Sequence, residues 1–89
     1  MIERDLVICN KLGLHARAAA KLVHTASGYG CDVTLKKDDE HIDAKSILGI
    51  LALGAAQGTK IAIACDGEDE VEAIEAVTEL INGRFGEES

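Results

Sequence analysis

The chain has no proline and no tryptophan, and its only aromatic residues are Tyr29 and Phe85. Without proline, turns fall to the nine glycines and to clusters of Asp and Lys. With two aromatics, the core must be built from Leu, Ile, Val and thirteen alanines, in thin layers that approach closely. Long apolar runs are also missing. The longest, Ile47 to Ala56, has ten residues and two glycines, whereas a bilayer-spanning helix needs about 20. The start, Met1-Ile2-Glu3-Arg4-Asp5, lacks the basic-then-apolar order of a secretion signal. No membrane insertion and a cytoplasmic location are therefore expected.

Cysteines are few and odd in number. Cys9, Cys31 and Cys65 lie in apolar segments and form no C-x-x-C, so they read as buried, reduced thiols. No pair of His or Cys has zinc spacing, and the glycines form neither G-x-G-x-x-G nor G-x-x-x-x-G-K. A basic excess is lacking too. Nine basic against sixteen acidic side chains give a net charge of −7, which argues against a nucleic-acid partner. That charge is uneven: Asp66 to Ser89 carries nine acids and one base, whereas Met1 to Cys65 is near neutral. The acidic last helix reads as a solvated, solubilising face.

Eighty-nine residues make one domain, 1–89, with a modest core. Ile2 to Cys9 reads as a strand with Ile2, Leu6 and Ile8 on one face. A helix follows over Ala16 to Ser27, its apolar stripe predicted at Ala16, Ala19, Ala20, Val23 and Ala26. Arg17, Lys21 and His24 form a second stripe. Strands are predicted at Cys31 to Lys37, His41 to Ala44 and Lys60 to Cys65, with a short helix over Ile47 to Leu53. Asp69 with Glu72 resembles a capping box. It opens a helix whose apolar face is predicted at Val71, Ile74, Val77 and Ile81, ending at Gly83. The order is βαββαβα, an α+β arrangement with helices on one face of a four-stranded sheet. A ferredoxin-like sheet uses almost the same order, and the pattern alone does not fix strand order.

His15 stands at the predicted start of the first helix, two residues before Arg17. A helix start presents unpaired N–H groups and partial positive charge, which makes it an anion site. A guanidinium there adds bidentate capacity for phosphate. The same dipole disfavours a positive imidazolium, and a neutral ring nitrogen is a nucleophile. A nucleophile inside an anion site is what transient phosphorylation of a histidine requires. A surface cap with an ordinary neighbouring charge has the same spacing. Ser46 presents a similar choice: it is a good N-cap, and an N-cap hydroxyl can also accept a phosphate. After it, Ile47, Leu48, Ile50, Leu51 and Leu53 exceed what a two-turn helix can bury, so some of them form an exposed apolar patch. His24, nine residues beyond His15, is out of phase with it and about 13 Å along the helix. His41 reads as a surface residue.

Gly13-Leu14-His15-Ala16-Arg17-Ala18-Ala19 resembles the active-site motif of the histidine-containing phosphocarrier (HPr) family of the bacterial phosphotransferase system. Lys45-Ser46-Ile47-Leu48-Gly49, continued by Leu53-Gly54, resembles that family's regulatory serine segment. Gln57-Gly58-Thr59 and Gly67-Glu68-Asp69-Glu70 are similar to its later turns. The resemblance spans essentially the whole chain. It implies an open-faced β-sandwich with sheet order 1-4-2-3. It implies that His15, through Nδ1, takes a phosphoryl group from phosphorylated enzyme I and passes it to a IIA-type protein. It implies that Arg17 steadies the phosphate and that neither metal nor cofactor is used. It implies that Ser46 is a regulatory phosphorylation site, served by a kinase or phosphorylase. The partner surface is expected at Ile47, Leu48 and Leu51, edged by Arg17, Lys21 and His24, with the starts of the two helices close together. A monomer is expected.

The chain departs from the family pattern at Ala18, where proline is common, and in the loop Asn10-Lys11-Leu12. These features look like versions found in some proteobacteria and leave open sugar uptake or nitrogen-related regulation. Two other classes stay open on the residues: a binding module governed by Ser46 with His15 silent, and a small domain whose helix start binds a free phosphorylated metabolite.

Overall fold

The computed structural model describes residues 1–88. The elements run β1 (Ile2–Val7), α1 (Ala16–Ser27), β2 (Asp32–Lys37), β3 (Glu40–Asp43), α2 (Ile47–Leu53), β4 (Lys60–Asp66) and α3 (Glu70–Asn82). A 3-10 turn, Arg84–Gly86, follows. The strands form one antiparallel sheet ordered β1-β4-β2-β3, which decides what the hydrophobic pattern left open.

Register sorts the side chains between the two faces. Cys65 pairs with Ile2 and Val33, Ile63 with Arg4 and Leu35, and Ile61 with Leu6. These apolar side chains point at the helices. The intervening residues, such as Asp5, Ala62 and Lys36, lie on the uncovered face. The arrangement is an α+β open-faced sandwich. Arg4 sits on the helical side yet stays satisfied. Its guanidinium donates to Thr78 Oγ1 and Glu75 Oε1 of α3, each at 3.2 Å.

Three helical details differ from the sequence reading. On α1 the buried residues are Ala18, Ala19, Leu22 and Ala26, while Ala16 and Ala20 are exposed. Leu22, the bulkiest apolar side chain of that helix, sets which face turns inward. On α3 the buried residues are Ala73, Ile74, Val77 and Ile81, and Val71 is exposed in the first turn. Asp69 precedes α3 but makes no cap bond. Its carboxylate accepts from the Gly30 and Cys31 amides at 2.8 and 2.9 Å, tying the α1–β2 turn to the β4–α3 turn. Those bonds, the Gly30 amide foremost, hold the Asp69 carboxyl below the usual range.

Cys31 and Cys65 are buried and free, and Cys9 is half-buried. Burial pushes the Cys31 thiol up to about 11 and raises Cys65 as well, so both stay protonated and unreactive. Among the described residues no helix is long and apolar enough to cross a membrane.

Beyond α3 the chain turns back through three successive left-handed residues, Arg84, Phe85 and Gly86, with φ of 57°, 54° and 78°. Each non-glycine residue there costs about 1–2 kcal/mol. Burial of Phe85, which is fully enclosed, offsets this. We expect Phe85→Ala to lower stability by about 3 kcal/mol, read from the denaturant midpoint, because a ring-sized cavity replaces it.

Candidate functional site

The loop before α1 is fixed from both sides. Asn10 is fully buried, and its Nδ2 donates to the Gly13 carbonyl at 2.8 Å. The Gly13 amide returns a bond to the Asn10 carbonyl at 3.1 Å. Gly13 has φ +67°, and a Cβ there would come within 2.6 Å of the Ala55 carbonyl oxygen. Only glycine permits that approach, which lets the Leu14 amide donate to the same oxygen at 2.9 Å.

His15 is therefore delivered to the N-cap of α1 in an extended conformation, φ −74° and ψ 178°. Its carbonyl accepts from the Ala19 amide at 2.8 Å. The ring makes no cap bond, and no acid lies in the first helical turn. The N–H groups of Ala16, Arg17 and Ala18 stand where an α-helix leaves its donors unpaired. The site keeps its capacity for an anion.

Lys11, Leu12, His15, Ala16, Arg17, Glu87 and Glu88 line a cleft of about 580 Å³. Arg17 is exposed, and among the described residues its guanidinium makes no ion pair. Leu12, 68% exposed, forms an apolar lip. A larger groove of about 940 Å³ runs past Asp5, Val7, Cys9 and Lys36 but does not include His15.

The sequence reading missed Glu87. Its carboxylate pairs with His15 Nε2 and accepts from Asn10 Nδ2 at 3.1 Å. The bond from His15, then that from Asn10, holds the Glu87 carboxyl below the usual range against the effect of burial. The acidic C-terminal segment is thus not wholly a solvated face. A lone phenylalanine beyond the glycine that ends the last helix was the available signal, because a buried ring there draws the tail onto the body.

The phosphorylation-site model of the phosphotransferase-system HPr component matches residues 2–83. The chain belongs to the HPr family. An HPr of Xylella fastidiosa (strain 9a5c) is 48% identical over 89 residues, covering all of both chains. A phosphocarrier protein NPr of Shewanella violacea is 40% identical over 88 residues, covering 99% of this chain and 97% of that one. The crystal structure of HPr-C-His from Thermoanaerobacter tengcongensis superposes over the whole of both chains with a TM-score of 0.97 at 46% identity. The sheet order of this HPr chain is that of an open-faced sandwich, as the resemblance implied.

The other predicted residues of this HPr chain lie as follows. Ser46 is the N-cap of α2, and its Oγ accepts from the Gly49 amide at 3.2 Å. Ile47, Leu48 and Leu51 are exposed, with Leu48 at 78%, whereas Ile50 and Leu53 are buried. Lys21 is not a free edge charge: its Nζ donates to the Phe85 carbonyl at 2.5 Å. His24 is exposed in the last turn of α1.

The two helix starts do not meet, contrary to expectation. The Leu14 amide bonds Ala55, just past the end of α2. At the other end, Lys45 Nζ donates to the Tyr29 and Cys31 carbonyls at 2.9 and 2.8 Å, just past the end of α1. The helices therefore run antiparallel, and Ser46 and His15 lie at opposite ends of the pair. Even along the shorter helix α2 that is about 10 Å.

Proposed function

We propose that this chain is a phosphocarrier in a phosphoenolpyruvate-dependent phosphotransferase system, serving sugar uptake, nitrogen-related regulation or both. His15 accepts a phosphoryl group from phosphorylated enzyme I and hands it to a IIA-type protein. The observation that carries this reading is a histidine at a helix start that its side chain does not cap, with an arginine that makes no ion pair among the described residues lining the same cleft. A ring nitrogen of His15 attacks the phosphorus on enzyme I. The donor P–N bond breaks, and its electron pair returns to the donor ring. The transferred group meets the N–H groups of the first turn and the Arg17 guanidinium. The phosphoramidate is the carried group, and no metal or organic cofactor takes part. His15, Arg17 and Glu87 all come from one copy, so a monomer suffices, and it works in the cytoplasm.

The test is incubation with enzyme I and labelled phosphoenolpyruvate. Acid-labile phosphate on His15, located by mass spectrometry, supports the reading. Its absence with active enzyme I overturns it.

Ser46 enters as a regulatory phosphorylation site for a kinase or phosphorylase. At about 10 Å or more from His15, its charge is largely screened from the ring at physiological ionic strength. It acts instead on whatever docks across Ile47, Leu48 and Leu51, a surface in the Met1 to Cys65 part of the chain, which lacks the acidic excess. A partner with an apolar groove and an acidic rim fits there. We expect Ser46→Asp to leave thermal stability unchanged or slightly higher, because Asp also caps well. We expect it to slow transfer from enzyme I about three- to tenfold at low salt, with the loss shrinking at high salt. Ser46→Ala is expected to cost about 1 kcal/mol of stability without that slowing. Equal rates for the two variants reduce Ser46 to a cap.

A further inference from the structure

We propose that Glu87 is a positioning residue for phosphoryl transfer: it decides which nitrogen of His15 is the nucleophile and balances the charge the ring acquires. The inference rests on the carrier reading above.

The Glu87 carboxylate is ionised and so can only accept. It pairs with His15 Nε2, so Nε2 carries the proton. In a neutral imidazole the other nitrogen then holds the free lone pair. Nδ1 is thereby selected by a contact on the far side of the ring, not by the helix start alone.

The tail is built to place that carboxylate. Phe85 anchors it in the core, and Lys21 of α1 holds the Phe85 carbonyl. The left-handed run at Arg84, Phe85 and Gly86 turns the chain toward the start of α1. Asn10, buried in the loop before His15, holds the other carboxylate oxygen. The two oxygens of Glu87 are thus divided between the ring and the loop that positions the ring.

The chemistry balances without a proton transfer. Nδ1 donates its pair to phosphorus, the donor P–N bond breaks, and the ring becomes a phosphorylated cation with its proton still on Nε2. Glu87 is the counter-charge. When the acceptor nitrogen attacks phosphorus in turn, the P–Nδ1 pair returns to Nδ1. The ring is again neutral and again protonated at Nε2. A carboxylate behind a catalytic histidine plays the same orienting and charge-balancing part in hydrolytic triads.

The experiment uses the full chain labelled with nitrogen-15 at histidine. The tautomer of His15 is read by NMR, and phosphoryl acceptance from enzyme I is measured alongside. In the wild type the Nε2–H tautomer should predominate. Glu87→Ala should weaken that bias toward the ratio of a free histidine, which also favours Nε2–H, and slow acceptance about tenfold, equivalent to about 1.4 kcal/mol in the barrier. Glu87→Gln keeps an acceptor but not the charge, so it should keep the tautomer with an intermediate rate. Glu72→Ala, an equal charge change on the exposed face of α3, should alter neither readout. Thermal melts check that the variants are folded. An unchanged tautomer or an unchanged rate in Glu87→Ala overturns the proposal. A wild type that accepts no phosphate overturns the carrier reading instead, and the tautomer measurement still stands by itself.

Discussion

His15→Ala is expected to abolish phosphoryl acceptance while the fold survives. The ring makes no cap bond, so the roughly 0.5–2 kcal/mol that a true N-cap side chain contributes is not at stake. The backbone bond from the Ala19 amide to the residue-15 carbonyl persists in the variant. Glu87 loses one partner but keeps Asn10. The thermal midpoint should therefore move by no more than about 4 °C. The chemistry has no substitute. His24 is exposed, but it sits in the last turn of α1, where the carbonyl end of the helix repels a phosphate rather than gathering it. His41 is exposed on β3, on the face of the sheet away from the helices. Incubation with enzyme I and labelled phosphoenolpyruvate, followed by mass mapping, gives the answer. Phosphate retained on the variant at a wild-type rate removes His15 from the relay.

The reach of sequence reasoning follows the strength of local contrast. The limits of α1 and α2 are written in the residues beside them: His15 and Ser46 open the helices, and Gly28 and Gly54 follow their ends. The buried face of α1 was harder, because Ala16, Ala18, Ala19 and Ala20 are equally apolar and equally small. Leu22 and Val23 mark adjacent faces by bulk, and it is the larger, Leu22, that lies fully inward with Ala18, while Val23 is half-buried. Asp69 illustrates a tertiary override. Its carboxylate fits a cap by spacing, yet two amides from the α1–β2 turn take it. The strand order came from the family resemblance, since alternation along each strand is the same whichever strands become neighbours. Glu87 itself has no signature; the one signal is indirect, the lone phenylalanine two residues before it. Glu87 lies 72 positions from His15, and what brings them together is the burial of Phe85 and the grip of Lys21. The placement of Ser46 failed for a different reason. Each helix start was recognised, but an antiparallel helix pair puts the two starts at opposite ends.

Arg17→Ala is expected to lower the rate of phosphoryl transfer about a thousandfold, or about 4 kcal/mol in the barrier, with little change in stability. The transferring group carries its charge on three equatorial oxygens, so catalysis lies in positioning and in electrostatic stabilisation of those oxygens. Here the first-turn N–H groups supply fixed dipoles, and Arg17 supplies the full positive charge free to meet them. Lys21 lies outside the cleft lining, and its ammonium donates to the Phe85 carbonyl. Lys11 also lines the cleft, but from the loop rather than from the first turn of the helix. Because Arg17 is exposed and makes no ion pair among the described residues, its removal leaves no buried partner stranded. The stability change should stay within about 0.5 kcal/mol. Arg17→Lys separates charge from geometry. It retains the cation but loses the planar, two-pronged donor, so its rate should fall between those of wild type and Arg17→Ala. Rapid-quench measurement of acceptance from enzyme I and of donation to a IIA-type protein covers both directions. The loss should appear in both, since the same oxygens pass the same guanidinium on the way in and on the way out. A rate within threefold of wild type in each direction makes Arg17 an ordinary surface charge.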